Sequence, residues 1–282
     1  MCNEVNRPVI AAMMAAGLLL SSCGGSKTRE LAESLFSQAE TALDEGRYAQ
    51  ALTLIDSIKN ACPDQIEIRR KSLHVAARAN EQLTVRKLEQ ADSIFMVTGI
   101  AADSLSRLVK KVDNPVEPYF VSAKLDPAAV QTTTGLQACM SPDGHFYVIS
   151  TLTGRSVKST SVSVSDGSAS ATTATVAYDG ERNDRSGGKE IITFVGAECD
   201  SLGSFVSKNR HKPLTVTFHG DKDYSMAMPA AQVEAMATLR DYYEITRKAT
   251  VAALEKERLT RALDLARSQA ARTFQVPETD EK

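Results

Sequence analysis

Gln137-Ala138-Cys139-Met140-Ser141-Pro142-Asp143-Gly144-His145-Phe146-Tyr147-Val148-Ile149 reads as two strands joined by a tight turn. Pro142 presets the backbone angle that a turn needs, and Gly144 supplies the positive φ that closes it. Tyr147, Val148 and Ile149 favour an extended chain. The same composition continues around this hairpin. Strand-length runs recur at Val116–Ala123, Gly135–Met140, His145–Leu152, Val157–Val164, Thr172–Tyr178, Glu190–Val195, Leu214–Phe218 and Tyr224–Met228. His219-Gly220-Asp221-Lys222 is a second turn between strands. Ser165–Ala174 is low-complexity and polar, and is expected as a flexible loop or weak edge strand. Leu202–Val206 is expected as a short helix or irregular bridge. Pro115 and Pro118 mark where the region begins. Closely spaced short strands predict an antiparallel β-sandwich or small barrel over residues 115–228.

On both sides of this region the hydrophobic period lengthens. Leu88, Ala91, Phe95, Thr98, Ala102, Leu105, Val109 and Val112 fall alternately three and four apart, a heptad seam that predicts one long helix over 83–113. Gly99 interrupts it at a cost of about 1 kcal/mol relative to Ala. After Pro229, a good first-turn residue, helix-forming sequence runs over 229–274, with Ala249, Ala252, Leu259, Leu263 and Ala266 along one stripe. Two such helices bracketing a strand-rich segment predict an α+β protein. The expected architecture is a long antiparallel helical stalk with the β domain inserted at its tip. Residues 275–282 are expected as a disordered acidic tail.

Composition narrows the function classes. Among 282 residues, 33 Lys and Arg face 35 Asp and Glu, giving a net charge of -2. A nucleic-acid binder needs a basic excess, so that partner is not expected. Trp is absent, which weakens any reading as an aromatic cage.

The N-terminus reads as an export signal. One Arg, Arg7, precedes an apolar run from Val9 to Leu20, too short for a stable membrane span. Leu20-Ser21-Ser22-Cys23 follows, then Gly24-Gly25. These residues resemble the lipobox of a bacterial lipoprotein. The resemblance implies a signal peptide over 1–22, lipidation of Cys23, and anchoring to a membrane through that lipid. No Asp follows Cys23, so the periplasmic face of an outer membrane is expected, with the cell surface as the other possibility. A short linker over 23–30 leads to a helical hairpin over 31–82. Within it, Ala39, Gly46, Tyr48, Ala51, Ile55, Ile58 and Pro63 resemble a single degenerate tetratricopeptide repeat of roughly 34 residues. Leu35 stands at the motif's usual Trp. The resemblance implies close helix crossing at the alanines, a turn at Gly46, and a concave surface for a peptide or partner chain.

No catalytic signature stands out, and no cofactor is expected. The four histidines lack metal-ligand spacing, so no metal site is expected. Cys62, Cys139 and Cys199 lack redox or zinc spacing. Export permits a disulfide, and Cys139 with Cys199 is the pair expected if one forms. The densest polar loop holds Asp179, Glu181, Arg182, Asp184 and Arg185, the candidate partner-binding residues. The function expected is a non-enzymatic binding or scaffolding module for a protein or cell-envelope partner. Two alternatives stand beside it. One is an envelope hydrolase using Asp143, His145 and Asp179, which must converge within hydrogen-bond reach. The other is a structural or oligomerising stalk.

Overall fold

The computed structural model describes residues 24–274, so the signal over 1–22, Cys23 and the tail over 275–282 lie outside the described residues. The chain is α+β and divides into two compact units. One holds the described parts of Met1–Arg86 and Arg261–Lys282, and the other is Lys87–Thr260.

In the first unit, α1 (Gly24–Asp44) and α2 (Tyr48–Ala61) form a helical hairpin, and α3 (Ile66–Ser106) contributes its first turns. The expected linker over 23–30 is helical from Gly24 onward. Arg29 and Glu33, one turn apart, pair at 2.8 Å and support that first stretch. Small residues set the packing. Ala39 meets Ile55 and Val75, while Ala42, Ala51 and Ala79 form a second cluster, so three helices approach through alanine contacts. Gly46 takes φ +72° at the hairpin turn. Arg86 donates from Nη1 to the Gly46 carbonyl at 2.8 Å and stacks its guanidinium 4.5 Å from the Tyr48 ring centre. The helix α3 runs unbroken through residue 82, and the two compact units divide within it, between Arg86 and Lys87. Neither Gly nor Pro interrupts Ile66–Ser106 before Gly99, so nothing stops the helix.

The second unit carries the β region. Its strands are β1 (Val109–Val112), β2 (Tyr119–Ser122), β3 (Gly135–Met140), β4 (Phe146–Thr153), β5 (Ser161–Ser165), β6 (Ser170–Thr172), β7 (Asn183–Asp184), β8 (Lys189–Val195), β9 (Thr215–His219) and β10 (Tyr224–Ala227). They form two open antiparallel sheets, ordered β1-β2-β3-β4-β8-β7 and β10-β9-β5-β6, and no barrel closes. The 137–149 hairpin pairs as read, with Met140 opposite Phe146. Short α4 (Asp200–Lys208) and long α5 (Ala230–Phe274) complete the chain. Phe194, Ile192, Val148, Val216 and Phe218 join both sheets in one core, on which α4 and the first turns of α5 pack through Leu202, Met236 and Leu239. Gln232 ties α5 to the sheet: its Oε1 accepts from Leu136 N at 3.2 Å, and its Nε2 donates to the Thr134 carbonyl at 3.1 Å.

Several boundaries moved. The long helix expected to reach 113 stops at Ser106, and Val109–Val112 is a strand paired with β2. Val109 packs in the main core and Val112 in a second cluster; residues three apart fit a helical seam as well as a strand, and only the β2 partner decides. Val116 is 94% exposed and outside any strand. Residues 173–178 lack a ladder, yet Val176 stays buried through an N–H bond to the Thr160 carbonyl at 2.8 Å.

One buried carboxylate organises the 156–159 bend. Glu190, 3% exposed, accepts from the N–H groups of Val157, Lys158 and Ser159 and from the hydroxyls of Ser156 and Ser159, at 2.7–2.9 Å. Lys158 adopts φ +53° within this bend. Gly220 lies against it so closely that a Cβ there would sit 2.1 Å from the Val157 carbonyl oxygen, so only glycine fits.

Candidate binding site

Within the second unit, α3 and α5 lie alongside one another, linked by an ion pair between Asp92 and Lys256. Between them runs an open cleft of about 630 Å³. Its floor is small and apolar: Ala91 and Ala252 are buried, with Leu259 beyond them. Thr98 is also on the floor, but its hydroxyl donates to the Ile94 carbonyl at 2.7 Å, so its polar atom is spent. The walls are Ile94 and Val251, 54% and 60% exposed. Large aliphatic groups left in water at that level, facing a cleft, cost free energy that a bound apolar group recovers.

The lining charges are unbalanced. Lys87, Arg240, Arg247 and Lys248 face Glu244 and Glu255. Arg240 is held by Asp200 at 2.6 Å and Glu244 at 3.0 Å, and it stacks near Phe146 and Tyr243. Burial lowers its pKa, but these two acids outweigh that and raise it. Glu255 is paired with Arg258 at 2.6 Å, which lowers its pKa. Counting the outside partners Asp200 and Arg258, one acid and one base, leaves the cationic excess unchanged. Arg247 and Lys248 form no ion pair among the described residues. A second depression lies across the ridge of Arg247 and Val251 and is lined by Phe120, Tyr242 and Tyr243.

The residues singled out from sequence are placed differently. Cys23 lies outside the described residues. The loop of Asp179, Glu181, Arg182, Asp184 and Arg185 folds back on its own domain. Asp179 accepts from the N–H groups of Asn183 and Glu181 at 2.9 Å, which lowers its pKa. Arg182 reaches the Thr193 carbonyl and Glu198. Arg185 donates to the Ser159 carbonyl at 3.2 Å and stacks on Tyr178. Asp184 accepts from Ser186 at 2.5 Å. Glu181 remains exposed. Four of the five side chains are thus already engaged within the fold.

The Cys139–Cys199 disulfide does not form. Both thiols are free and buried. Cys139 points to the cluster of Val121 and Ile149, whereas Cys199 sits in the main core with Leu136, Ala138 and Met140. Alternation along β3 puts Cys139 on the face opposite its neighbours, and so away from Cys199. Burial pushes both thiols up to about 12, despite a lowering hydrogen bond with Tyr147 at Cys139. Burial also raises Cys62. Iodoacetamide at pH 8 is expected to alkylate none of these three cysteines in native protein and all three in denaturant. Peptide mass mapping reads the result, and native labelling of Cys139 or Cys199 would contradict it.

Asp143 and His145 do meet, Oδ2 to Nε2 at 3.1 Å, on the exposed 141–145 turn. Ser141 donates to the other oxygen of Asp143, so the carboxylate stands between hydroxyl and imidazole. That hydroxyl meets the Asp143 carboxylate and the His145 backbone but no imidazole nitrogen. Asp179 is bound in its own turn. A different trio has the order Ser163 Oγ, His219 Nε2 at 2.7 Å, and His219 Nδ1, Asp223 Oδ2 at 3.0 Å. Strand register brings Ser163 to His219, since Ser163 lies across from Thr217, two residues before His219, while Asp223 lies only four residues on from His219. Ser163 is in β5, paired on both edges, so neighbouring N–H groups serve the ladder rather than an oxyanion.

The groove was not read from sequence as a site, although its floor residues Ala91, Thr98, Ala252 and Leu259 lie on the predicted helical stripes; Ile94, a large apolar residue lying off the α3 seam, was the available signal. No protein-family model, curated protein or solved structure matches the chain.

Proposed function

We propose that this chain is a lipoprotein, anchored through Cys23, that works as a non-enzymatic binding module for a protein or cell-envelope partner. The observation that carries the binding role is the α3/α5 groove, with half-exposed aliphatic walls and four cations against two anions. Exposed apolar surface on regular helices is what an interaction site offers. The lipobox resemblance at Leu20-Ser21-Ser22-Cys23 supports the anchor and an outer-membrane, periplasm-facing location. In this proposal the α3/α5 seam serves as the stalk expected from the heptad pattern.

Cells fed a palmitate analogue test the anchor. Wild-type protein is expected to be processed and labelled. Cys23→Ala is expected to remain unprocessed and unlabelled. Equal labelling of the two would overturn anchoring at Cys23.

A further inference from the structure

We propose that the α3/α5 groove receives an amphipathic α-helix of a partner protein, with an apolar stripe flanked by acidic residues. This rests on the binding-module proposal above and specifies its ligand. Openness is the first argument. Small-molecule pockets bury about 70–90% of their ligand. This cleft is bounded by two helices, and its walls Ile94 and Val251 are more than half exposed. It leaves one long side of any occupant uncovered, as a helix laid in a groove requires.

Length and floor agree. The lining runs along α5 from Arg240 to Leu259, about 29 Å at 1.5 Å per residue, or five turns. Ala91 and Ala252 on the floor allow close helix approach, within the usual spacing of about 8–10 Å. Anchors at i, i+3, i+4 and i+7 of the incoming helix would meet Ile94, Val251 and Leu259.

Charge selects the occupant. The lining carries two more positive than negative groups, and the acids Glu244 and Glu255 already have arginine partners. A second copy docked groove to groove would oppose these excesses, which repel. An acidic flank instead pairs with Arg247 and Lys248.

The probe is a fluorescein-labelled helical peptide of about 20 residues. It carries Leu at i, i+3, i+4 and i+7 and Glu on both flanks. A sister peptide carries Lys on the flanks. Each is titrated into the full-length chain by anisotropy. Saturable binding of the Glu peptide is expected. Ile94→Glu with Val251→Glu is expected to weaken it about tenfold or more, as is Arg247→Glu with Lys248→Glu. The charge-reversed variant is expected to prefer the Lys peptide. All four positions are exposed, so the thermal unfolding of both variants should match wild type and separate lost binding from lost fold. No binding, equal binding of both peptides, or binding indifferent to both pairs of substitutions would overturn the proposal. A dimer in sedimentation that Ile94→Glu dissociates would overturn it in favour of a second copy. Binding to anionic vesicles, lost in the same variants and without peptide binding, would overturn it in favour of a lipid surface. None of the four substitutions touches Cys23, so failure here and failure of acyl labelling are read separately.

Discussion

Glu190→Ala is expected to destabilise the second unit by about 3–5 kcal/mol, read as a lower urea midpoint at unchanged slope. The carboxylate is 3% exposed and accepts three backbone N–H groups and two hydroxyls. Its removal strands several buried donors at once. Glu190→Gln retains the shape but presents an NH₂ to groups that are themselves donors, so it is expected to recover only part of the loss. A midpoint shift under about 0.5 kcal/mol for Glu190→Ala would show that water or another acceptor replaces the carboxylate.

The same residue fixes a pH dependence. Burial alone raises the Glu190 pKa, but hydrogen bonds from Ser159, Lys158 and Ser156 outweigh it, and the folded value is lowered. Unfolded Glu titrates near about 4.3. The stabilisation is therefore present above that pH and is lost as pH falls through the lower folded value. Urea midpoints taken below pH 4.3 should fall more steeply for wild type than for Glu190→Gln. Parallel profiles would remove the carboxylate from the account.

Phe194→Ala is expected to cost about 3–5 kcal/mol. Phe194 is fully buried in β8, in the core shared by both sheets and the helices packed on them. Few neighbours can collapse into the void, because strands on both sides are held by ladders. Its chain neighbour supplies the control. Val195 points the other way and is 44% exposed, so Val195→Ala is expected to fall within about 0.5 kcal/mol of wild type. Comparable losses at the two positions would contradict the burial pattern of β8.

Much of the fold was legible because local chemistry and tertiary partners agreed. The Ser141-Pro142-Asp143-Gly144 turn closes the hairpin it predicts, and Gly135–Met140 is a strand at the stated bounds. Ala39 and Ala51 are fully buried where close helix crossing was expected. Errors fell where a pattern admitted two periods. Val109 and Val112 satisfied the seam of a helix, yet β2 claimed them. Thr172–Tyr178 had strand composition, but past Thr172, the last residue of β6, its backbone groups found partners outside a ladder.

Site residues were less legible. The loop of Asp179 to Arg185 is dense in charge, and charge density alone does not reveal that Asp179 binds N–H groups and Arg185 lies on Tyr178. The two thiols lie in strand-like sequence, but the face each occupies depends on register. Ser163 is far in sequence from His219 and Asp223 until β5 and β9 pair.

By itself the sequence determined the class of secondary structure across most of the chain, the tight turns, and the balanced charge, because these depend on near neighbours and composition. It also carries the lipobox-like Leu20–Cys23, whose chemistry is local. Tertiary structure alone decided that Glu190 is buried beneath the 156–159 bend, that Cys139 and Cys199 look into different clusters, and that Ile94 and Val251 face a common groove. Those are relations between residues dozens to hundreds of positions apart. No local rule sets them, because they arise only when strand register and helix packing bring distant side chains to one place.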